Sequence, residues 1–209
     1  LRDLYNVERV DVLKGSSALV FGRGTGGGAL NRVSKTADGA GLRQLEIGLG
    51  NFGHGRLAGD VGGTLTDGVF GRLNAVVEES ETYRNEVEIS RLGLAPTLRF
   101  HLSDATQLDL FAEYFSDERT VDRGVPSQEG RPWPGSAKTY FGNPDLSYSD
   151  IEAATLRGVL NHRISDDVNF RGVLSYGDYA KFYQNVFAGG PVDPVAETVR
   201  ISSYNSATD

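Results

Sequence analysis

Cysteine is absent from the 209 residues of this chain, which excludes disulfides, zinc–thiolate sites, iron–sulfur clusters and thiol catalysis. Methionine is absent as well, and the first residues read as the middle of a domain, with no signal-peptide pattern. The last residues, YNSATD, stop without a closing element. We therefore expect this chain to be a fragment of a longer, processed protein.

Long hydrophobic runs are missing too. No stretch of the sequence reaches the run of about 18 apolar residues that a membrane-spanning helix needs. This absence leaves membrane β-barrels open, because their strands are apolar on one face only. Acidic residues outnumber basic ones, and the formal net charge of -7 argues against a nucleic-acid partner, whose phosphates require a basic surface.

Residues with catalytic or metal-binding chemistry are few or scattered. The three histidines are His54, His101 and His162, and no two of them have the spacing of metal ligands. Carboxylates are plentiful, but none forms a recognisable acid–base constellation, and the G-x-S-x-G nucleophile motif is absent. The sequence therefore predicts neither an enzyme nor a metal site.

Glycine and aromatic residues are abundant. The chain contains 27 glycines, 10 phenylalanines and 9 tyrosines, a composition that favours β-structure with many turns. From Leu42 onward, apolar residues alternate with polar ones, as in strands that have one apolar face. The predicted strands are Leu42–Gly50, Arg56–Leu65, Val69–Glu79, Ile89–Leu102, Thr106–Ser116, Ile151–Ile164 and Val168–Tyr176, with an eighth beginning near Glu197.

Short and long connections alternate between these strands. The short ones are tight hairpin turns at Thr66–Gly68, Ser103–Asp104 and Ser165–Asp167. The long ones are Asn51–Gly55, Glu81–Val87, Asp117–Asp150 and Ala180–Ala196. Because alternate connections of an up-and-down sheet fall at the same end, one end is tightly turned and the other carries large loops. Outer-membrane barrels have this asymmetry.

A soluble antiparallel barrel or sandwich would also alternate, and three features count against it. The predicted strands have about ten or more residues, whereas strands usually have about 5–6. Arginine, aspartate and glutamate lie in the middle of the polar faces, as expected of a water-filled lumen. Aromatic residues lie near strand ends, where interfacial girdles would be: Phe100, Tyr114, Phe170 and Tyr176. We therefore predict an all-β fold, a transmembrane antiparallel β-barrel.

The segment Asn6–Ala37 differs from the rest of the chain, since it has two short predicted strands around a glycine-dense stretch at Gly22–Gly28. That stretch satisfies G-x-G-x-x-G, but a dinucleotide site requires a following helix, and only Ala29–Lys35 remains before a linker. No lysine stands where a phosphate-binding loop requires one. We interpret the glycines as permitting positive φ and close backbone approach, as a small domain packed inside another structure would need.

The connection Asp117–Asp150 is the predicted recognition element. Long loops in compact proteins are usually functional or disordered. This one combines cations with aromatic rings, which suits an anionic, aromatic ligand through charge pairing, stacking and cation–π contact. The candidate ligand-binding residues are Arg119, Arg123, Arg131, Trp133 and Tyr140. The alternative is a solvated loop whose aromatic side chains pack on one another.

Three pieces of the first segment resemble the end of the plug domain of TonB-dependent receptors: VERVDVLKG at Val7–Gly15, SALVFG at Ser17–Gly22 and GGALNRVSK at Gly27–Lys35. The family pattern has proline where this chain has Ser16, and tyrosine where it has Phe21. The later pieces RGVPSQEGRPW, TYFGNPD and SYSD are similar to siderophore receptors of this family, in particular to catecholate-type members.

The resemblance implies a domain boundary and a barrel larger than this chain. Residues 1–37 would be the C-terminal part of the plug domain, and residues 38–209 the N-terminal part of the barrel. The seven or eight strands predicted here would be a part of a plugged barrel of about 22 strands. The TonB box, the early plug and most of the barrel are not in this sequence.

The resemblance also implies a function. An active transporter in the outer membrane of a Gram-negative bacterium, surrounded by outer-membrane lipid, would import a ferric siderophore with energy supplied through the TonB–ExbB–ExbD complex. The oxygens of the siderophore hold the iron, so no protein cofactor and no protein metal ligand is expected. A TonB-dependent importer of haem, cobalamin or a glycan, a passive porin and a soluble β-rich binding module are the alternatives.

Charged residues of the plug-like segment indicate how it would be held in the lumen. Glu8, Arg9 and Arg23 would face a barrel wall that carries charges of both signs. We hypothesise that Arg9 or Arg23 pairs with lumenal carboxylates such as Glu78 or Glu113. Such pairs fix geometry more than they add stability.

Overall fold

The computed structural model describes residues 3–15 and 27–208 of the chain. Within these two ranges, the regular structure is twelve β-strands and one turn of 3-10 helix. The strands are β1 (Val7–Lys14), β2 (Gly28–Ser34), β3 (Leu42–Leu49), β4 (Gly55–Thr66), β5 (Val69–Glu81), β6 (Glu88–Ser103), β7 (Thr106–Thr120), β8 (Ser127–Gln128), β9 (Arg131–Pro132), β10 (Tyr148–Arg163), β11 (Asn169–Asp193) and β12 (Thr198–Thr208), and the helical turn is Pro144–Leu146. None of the described residues forms a helix with the length and apolarity to cross a membrane.

Most of the strands form one large sheet. Eight of them are hydrogen-bonded in the order β3-β4-β5-β6-β7-β10-β11-β12, and all neighbouring pairs are antiparallel. β1 pairs with β2, and β8 with β9, as two small antiparallel sheets. The prediction of an all-β chain is confirmed, and β12 is the eighth strand expected near Glu197.

The connections lie where they were predicted until the last one, but residues 50–54, predicted as a long connection, and residues 164–168, predicted as a short one, have the same length of five residues. Residues 67–68 alone join β4 to β5, whereas residues 121–147 separate β7 from β10. The predicted long connection at Ala180–Ala196 is wrong. β11 continues through it as far as Asp193, and only residues 194–197 join β11 to β12.

A β-bulge in β11 explains why the sequence of Ala180–Ala196 predicts a loop. The pairing of β11 with β12 shifts register between Ala188 and Val192, across Gly189, Gly190 and Pro191. Glycine and proline inside a strand mark such bulges. β11 has 25 residues and is therefore roughly 80 Å long, against about 30 Å for the hydrocarbon core of a bilayer. The β11–β12 hairpin thus projects beyond the loop end of the sheet.

The eight-stranded sheet has two chemically different faces. The inner face is turned toward β1 and β2, and it buries polar side chains: Asp60, Asn74, Thr97, Asp109 and Asp117. The outer face exposes large apolar side chains on one strand after another: Leu45, Ile47, Leu57, Leu73, Val77, Leu92, Leu94, Leu156, Leu174 and Tyr176. The predicted division into a polar and an apolar face is confirmed.

Tyr5 packs the start of the chain against the inner face. It is only 7% exposed and forms a cluster with Val76, Ala95, Phe115 and Ala153. These four partners come from β5, β6, β7 and β10. The apolar core of this part of the protein therefore lies between the segment that precedes β1 and the middle of the large sheet.

Gly93 of β6 leaves the space that the Tyr5 ring fills. A Cβ atom at position 93 would lie 2.6 Å from Tyr5 Cζ and 2.9 Å from Tyr5 Oη. We expect Gly93→Ala to displace the ring and to weaken the packing by about 1–3 kcal/mol, the usual effect of overpacking. Urea unfolding of the full-length protein measures this change. Gly59→Ala is the control, since its Cβ would meet no atom within 4 Å, and equal stability of both variants would contradict the expectation.

Candidate functional site

A row of alternating charges crosses the inner face near the loop end of the sheet. Arg56, Glu78, Arg91 and Asp117 are cross-strand neighbours on β4, β5, β6 and β7. Arg56 Nη1 lies 2.7 Å from Glu78 Oε2, Arg91 Nη1 lies 3.1 Å from the same oxygen, and Arg91 Nε lies 2.9 Å from Asp117 Oδ2. Opposite charges that face each other across antiparallel strands support the register.

Asp3 joins this row from the segment before β1. Its Oδ1 and Oδ2 each lie 2.8 Å from an Nη atom of Arg56, and Oδ2 is 3.2 Å from Arg91 Nη1. The Asp3 side chain is 9% exposed, and those of Arg56 and Arg91 are 19% and 14% exposed. The ion pairs are therefore largely removed from water and link the first residues of the chain to the wall formed by the sheet.

Asp3 makes this link dependent on pH. Burial of the carboxyl acts to raise its pKa, but the hydrogen bonds and charge of Arg56 and the charge of Arg91 outweigh it and hold the pKa below its usual range. A lowered folded-state pKa contributes stability that is complete above the unfolded pKa and is lost as pH falls through the folded one. We expect residues 3–15 to stay docked from pH 7 to about 5 and to loosen below about 4.

Amide hydrogen exchange of residues 3–15, corrected for the intrinsic effect of pH, measures this transition. Asp3→Asn is the control, because an amide keeps the size of the side chain and cannot ionise. In Asp3→Asn, the amides of residues 3–15 should exchange faster than in the wild type at pH 7, and their exchange should show no further increase as the pH falls below about 4. The same acid transition in the wild type and in Asp3→Asn would show that another group is responsible.

A second ion-pair cluster lies closer to the middle of the sheet. Lys35 Nζ is 2.9 Å from Asp60 Oδ2, and Arg72 donates to both oxygens of Asp60 at 2.8 Å. Arg72 also donates to the carbonyl of Thr36 at 3.1 Å, and its Nη1 is 3.6 Å from Glu8 Oε2. The residues that follow β2 are thus fixed to β4 and β5.

Four residues were predicted to join the plug-like segment to the sheet, and they differ in their contacts: Arg9, Arg23, Glu78 and Glu113. Within the described ranges, the ion pair of Arg9 is with Asp11 on its own strand, at 3.2 Å, and the Arg9 side chain is 63% exposed. Glu113 accepts a hydrogen bond from Asn6 Nδ2 at 3.0 Å, while Glu78 binds the two arginines that hold Asp3. Arg23 lies outside the described residues, and its predicted pairing stays a prediction.

The connection 121–147 is an ordered structure rather than an extended loop. It contains the β8–β9 hairpin and the 3-10 helix. Gln128 anchors it to β11, since its side chain accepts from Val192 N at 3.0 Å and donates to Val192 O at 3.2 Å. Ser147 Oγ likewise bonds both the N–H and the carbonyl of Val186.

Two of the predicted ligand-binding residues make hydrogen bonds within the protein. Arg119 lies on the inner face and donates to both oxygens of Asp117, at 2.7 and 2.6 Å. The hydroxyl of Tyr140 donates to the carbonyl of Val121 at 2.9 Å, and burial raises the pKa of this hydroxyl, which keeps it protonated. The Tyr140 bond therefore holds the start of the connection, whereas the Arg119 bonds stay within β7.

The other three predicted ligand-binding residues, Arg123, Arg131 and Trp133, lie on the surface of the connection. The guanidinium of Arg123 is 4.0 Å from the centre of the Phe187 ring, a cation–π contact with β11. Trp133 packs edge-to-face on Phe141 with 5.1 Å between ring centres. Arg131 is exposed on β9. Arg123 thus contacts a ring of β11 rather than a ring of the connection, and Trp133 and Phe141 pack on one another as the alternative interpretation expected.

Sequence reasoning missed the residues that β11 and β12 contribute to the inner face. Tyr179, Lys181 and Tyr183 follow one another at every second position of β11, in register with the inner-face residues of β10. Tyr183 packs on Tyr204 of β12 with 5.9 Å between ring centres. The period-two pattern continues beyond Tyr176 and could have predicted these residues, but Ala180–Ala196 was predicted as a loop.

The described residues contain no group of three or more His, Cys, Asp or Glu side chains arranged to hold a metal ion. The inner face and the 121–147 connection offer guanidinium groups, aromatic rings and hydroxyls for binding. Cations near aromatic rings suit anionic ligands that contain planar rings.

The chain is similar to known bacterial receptors. It is 28% identical over 222 residues to the catecholate siderophore receptor Fiu of Escherichia coli K12, and this alignment covers 97% of the chain and 29% of Fiu. It is 28% identical over 176 residues to the metal-pseudopaline receptor CntO of Pseudomonas aeruginosa, covering 83% of the chain and 25% of CntO. The chain spans about a quarter of the length of these curated relatives.

Solved structures share the fold. The open form of the ferric-catecholate import receptor Fiu matches with a TM-score of 0.87 over 99% of this chain and 35% of the Fiu chain, at 24% identity. The ferripyoverdine receptor of the Pseudomonas aeruginosa outer membrane, bound to ferripyoverdine, matches with a TM-score of 0.83 over 98% of this chain and 28% of that chain, at 21% identity. No protein-family profile matches the sequence. The predicted fold, part of an antiparallel β-barrel, is confirmed.

Proposed function

Because this chain is homologous to TonB-dependent siderophore receptors, as its first segment predicted, we propose that it is part of an outer-membrane transporter that imports ferric siderophores. The observation that carries the proposal is the similarity to a catecholate siderophore receptor across 97% of the chain. Those relatives are receptors and not enzymes, and we assign this protein no catalytic role and no resident cofactor. Iron enters as cargo, held by the siderophore.

The two faces of the large sheet support a place in the outer membrane of a Gram-negative bacterium. Strands of such barrels alternate between lipid-facing and lumen-facing residues. The exposed leucines of the outer face would contact lipid, and the charged rows of the inner face would line the lumen. Long connections lie at the end of the sheet that carries the β11–β12 hairpin, which we place on the extracellular side.

We propose that residues 1–37 are the end of a plug domain and that residues 38–209 are the first part of the barrel wall. The pairs Asp3–Arg56 and Lys35–Asp60 support this division, because each joins the first segment to a strand of the wall. Energy for transport would come from the TonB–ExbB–ExbD complex, acting on the plug through a TonB box that this sequence does not contain.

The ligand would be bound on the extracellular side by the 121–147 connection. Arg123, Arg131 and Trp133 offer charge and ring surface there, and we propose them as ligand contacts. Arg119 and Tyr140 complete the predicted set. The bond from Tyr140 to the Val121 carbonyl supports the fold of the connection, and Arg119 lies on β7 just before it. This chemistry suits a ferric catecholate complex, whose ligand rings are planar and whose net charge is negative.

Growth of a receptor-null bacterium in iron-limited medium tests the proposal. Expression of the full-length protein should restore growth when the ferric complex of a catecholate siderophore is the iron source. The complex of a hydroxamate siderophore is the comparison. Failure with both classes would overturn the proposal and point to another TonB-dependent cargo, such as haem, cobalamin or a glycan.

A further inference from the structure

Arg84 is a buried charge that belongs to neither ion-pair cluster. It lies in the connection between β5 and β6, and it is 6% exposed. Its Nε donates to Asp122 Oδ2 at 2.6 Å, and its Nη1 donates to the carbonyls of Ala137 and Thr139 at 2.7 and 3.0 Å. One guanidinium therefore closes a stretch of chain that begins at Asp122 and ends at Thr139.

This stretch contains the three residues that we propose as ligand contacts, the exposed Arg123 and Arg131 and the partly buried Trp133. The backbone reinforces the same closure, since Asn85 N–H donates to the carbonyl of Lys138 at 3.0 Å. A guanidinium presents its donors in a rigid, planar fork, so it can hold a carboxylate and two carbonyls in a fixed arrangement. Without it, these three acceptors would lose their common partner.

We propose that Arg84 is a positioning residue for siderophore binding, which holds residues 122–139 in the conformation that presents the ligand contacts. The inference rests on the proposed function, but the role of Arg84 in the conformation of the segment can be measured without any ligand. Arg84 does not contact the ligand in this proposal. Its effect on binding is indirect, through the shape of the segment that it closes.

Limited proteolysis reports on the segment directly. Trypsin can cut after Arg123 and after Lys138, and the fragments identify each cut by mass. In intact cells that express the full-length receptor, Arg84→Ala should speed these cuts by at least about tenfold, since a hydrogen bond to a charged group contributes more free energy than a tenfold change requires. Glu86→Gln is the matched control, because Glu86 is exposed in the same connection and should leave the rate unchanged.

Uptake of the radiolabelled ferric catecholate complex, measured as a function of its concentration, distinguishes two roles of Arg84. One is to position residues 122–139, and the other is only to allow the receptor to assemble. A positioning role raises the half-saturating concentration in Arg84→Ala, again by about tenfold, and leaves the maximal rate per receptor near that of the wild type. An assembly defect would instead lower the number of receptors and leave the half-saturating concentration unchanged. Arg84→Lys keeps the charge near Asp122 but lacks the planar fork, so its half-saturating concentration should lie between those of Arg84→Ala and the wild type. If Arg84→Ala does not assemble, the half-saturating concentration of Arg84→Lys tests the positioning role instead.

The two proposals fail in different ways. If the wild-type receptor takes up no ferric complex, the proposed function is wrong, whatever the proteolysis shows. If the wild type transports and Arg84→Ala has unchanged protease sensitivity or an unchanged half-saturating concentration, the positioning role of Arg84 is wrong and the proposed function stands.

Discussion

Replacing Asp3 with arginine is expected to detach residues 3–15 from the large sheet and to abolish import. The substitution would place a third positive charge beside Arg56 and Arg91, whose side chains are 19% and 14% exposed. Removal of one partner from a buried ion pair costs about 3–5 kcal/mol, and a reversed charge adds repulsion to that loss. The effect should therefore exceed that of any substitution on the exposed face of β1.

Uptake of the ferric complex and tryptic cleavage after Arg9 and Lys14 measure this effect in cells. Asp11→Arg is the matched control, because it reverses a charge on the same segment where the Asp11 side chain is 36% exposed. This substitution removes an exposed pair with Arg9, which contributes about 0–1 kcal/mol, and one hydrogen bond from Asn31 Nδ2, which contributes about 1 kcal/mol, so Asp11→Arg should remain functional. The double variant Asp3→Arg with Arg56→Asp restores one opposite-charge contact and should recover part of the docking. Equal import by the wild type and Asp3→Arg would contradict the role of the charged row.

Arginine at Leu94 is expected to prevent assembly of the barrel in the membrane. Leu94 lies near the middle of β6 on the outer face and is 44% exposed. A charged residue at the lipid-facing midplane of a barrel costs about 2–4 kcal/mol, whereas the same residue on a water-exposed surface costs little. The amount of folded receptor in outer membranes, read from its heat-modifiable mobility in gels, should fall by more than about tenfold.

Leu146→Arg is the matched control for this substitution. Leu146 is 46% exposed, much like Leu94, but it lies in the 3-10 helix of the 121–147 connection, beyond the end of the strands. Its replacement should leave the amount of folded receptor unchanged. If Leu94→Arg and Leu146→Arg assembled equally well, the outer face of β6 would face water, and the assignment of this sheet to a membrane barrel would fail.

Strand positions and faces were predictable because their signals are local. A strand with one apolar face repeats every second residue, and the turn at Asp67–Gly68 carries its own signature. β11 shows the limit of this reasoning, since Gly189, Gly190 and Pro191 have the composition of a loop and form a bulge instead. The resemblance to a known family was recognisable from the sequence for the same reason, because it rests on short contiguous pieces, three before Thr36 and three between Arg123 and Asp150.

The partners of the charged side chains were not predictable. Asp3 meets arginines 53 and 88 positions away, and Arg84 meets acceptors 38 to 55 positions away, so neither contact leaves a pattern in the sequence around it. Glu78 and Glu113 lie on the inner face, since period two determines the side of a strand on which a residue lies. The groups that reach them depend on how the first segment lies against the sheet.

Energy-dependent uptake of iron tests the central claim most directly. Cells that express the full-length receptor should accumulate radiolabelled iron from a ferric catecholate complex against its gradient. Accumulation should stop when TonB is deleted or when a protonophore collapses the proton gradient, while binding at the cell surface remains. Uptake that continues without TonB and the proton gradient would show a passive channel and would contradict the account.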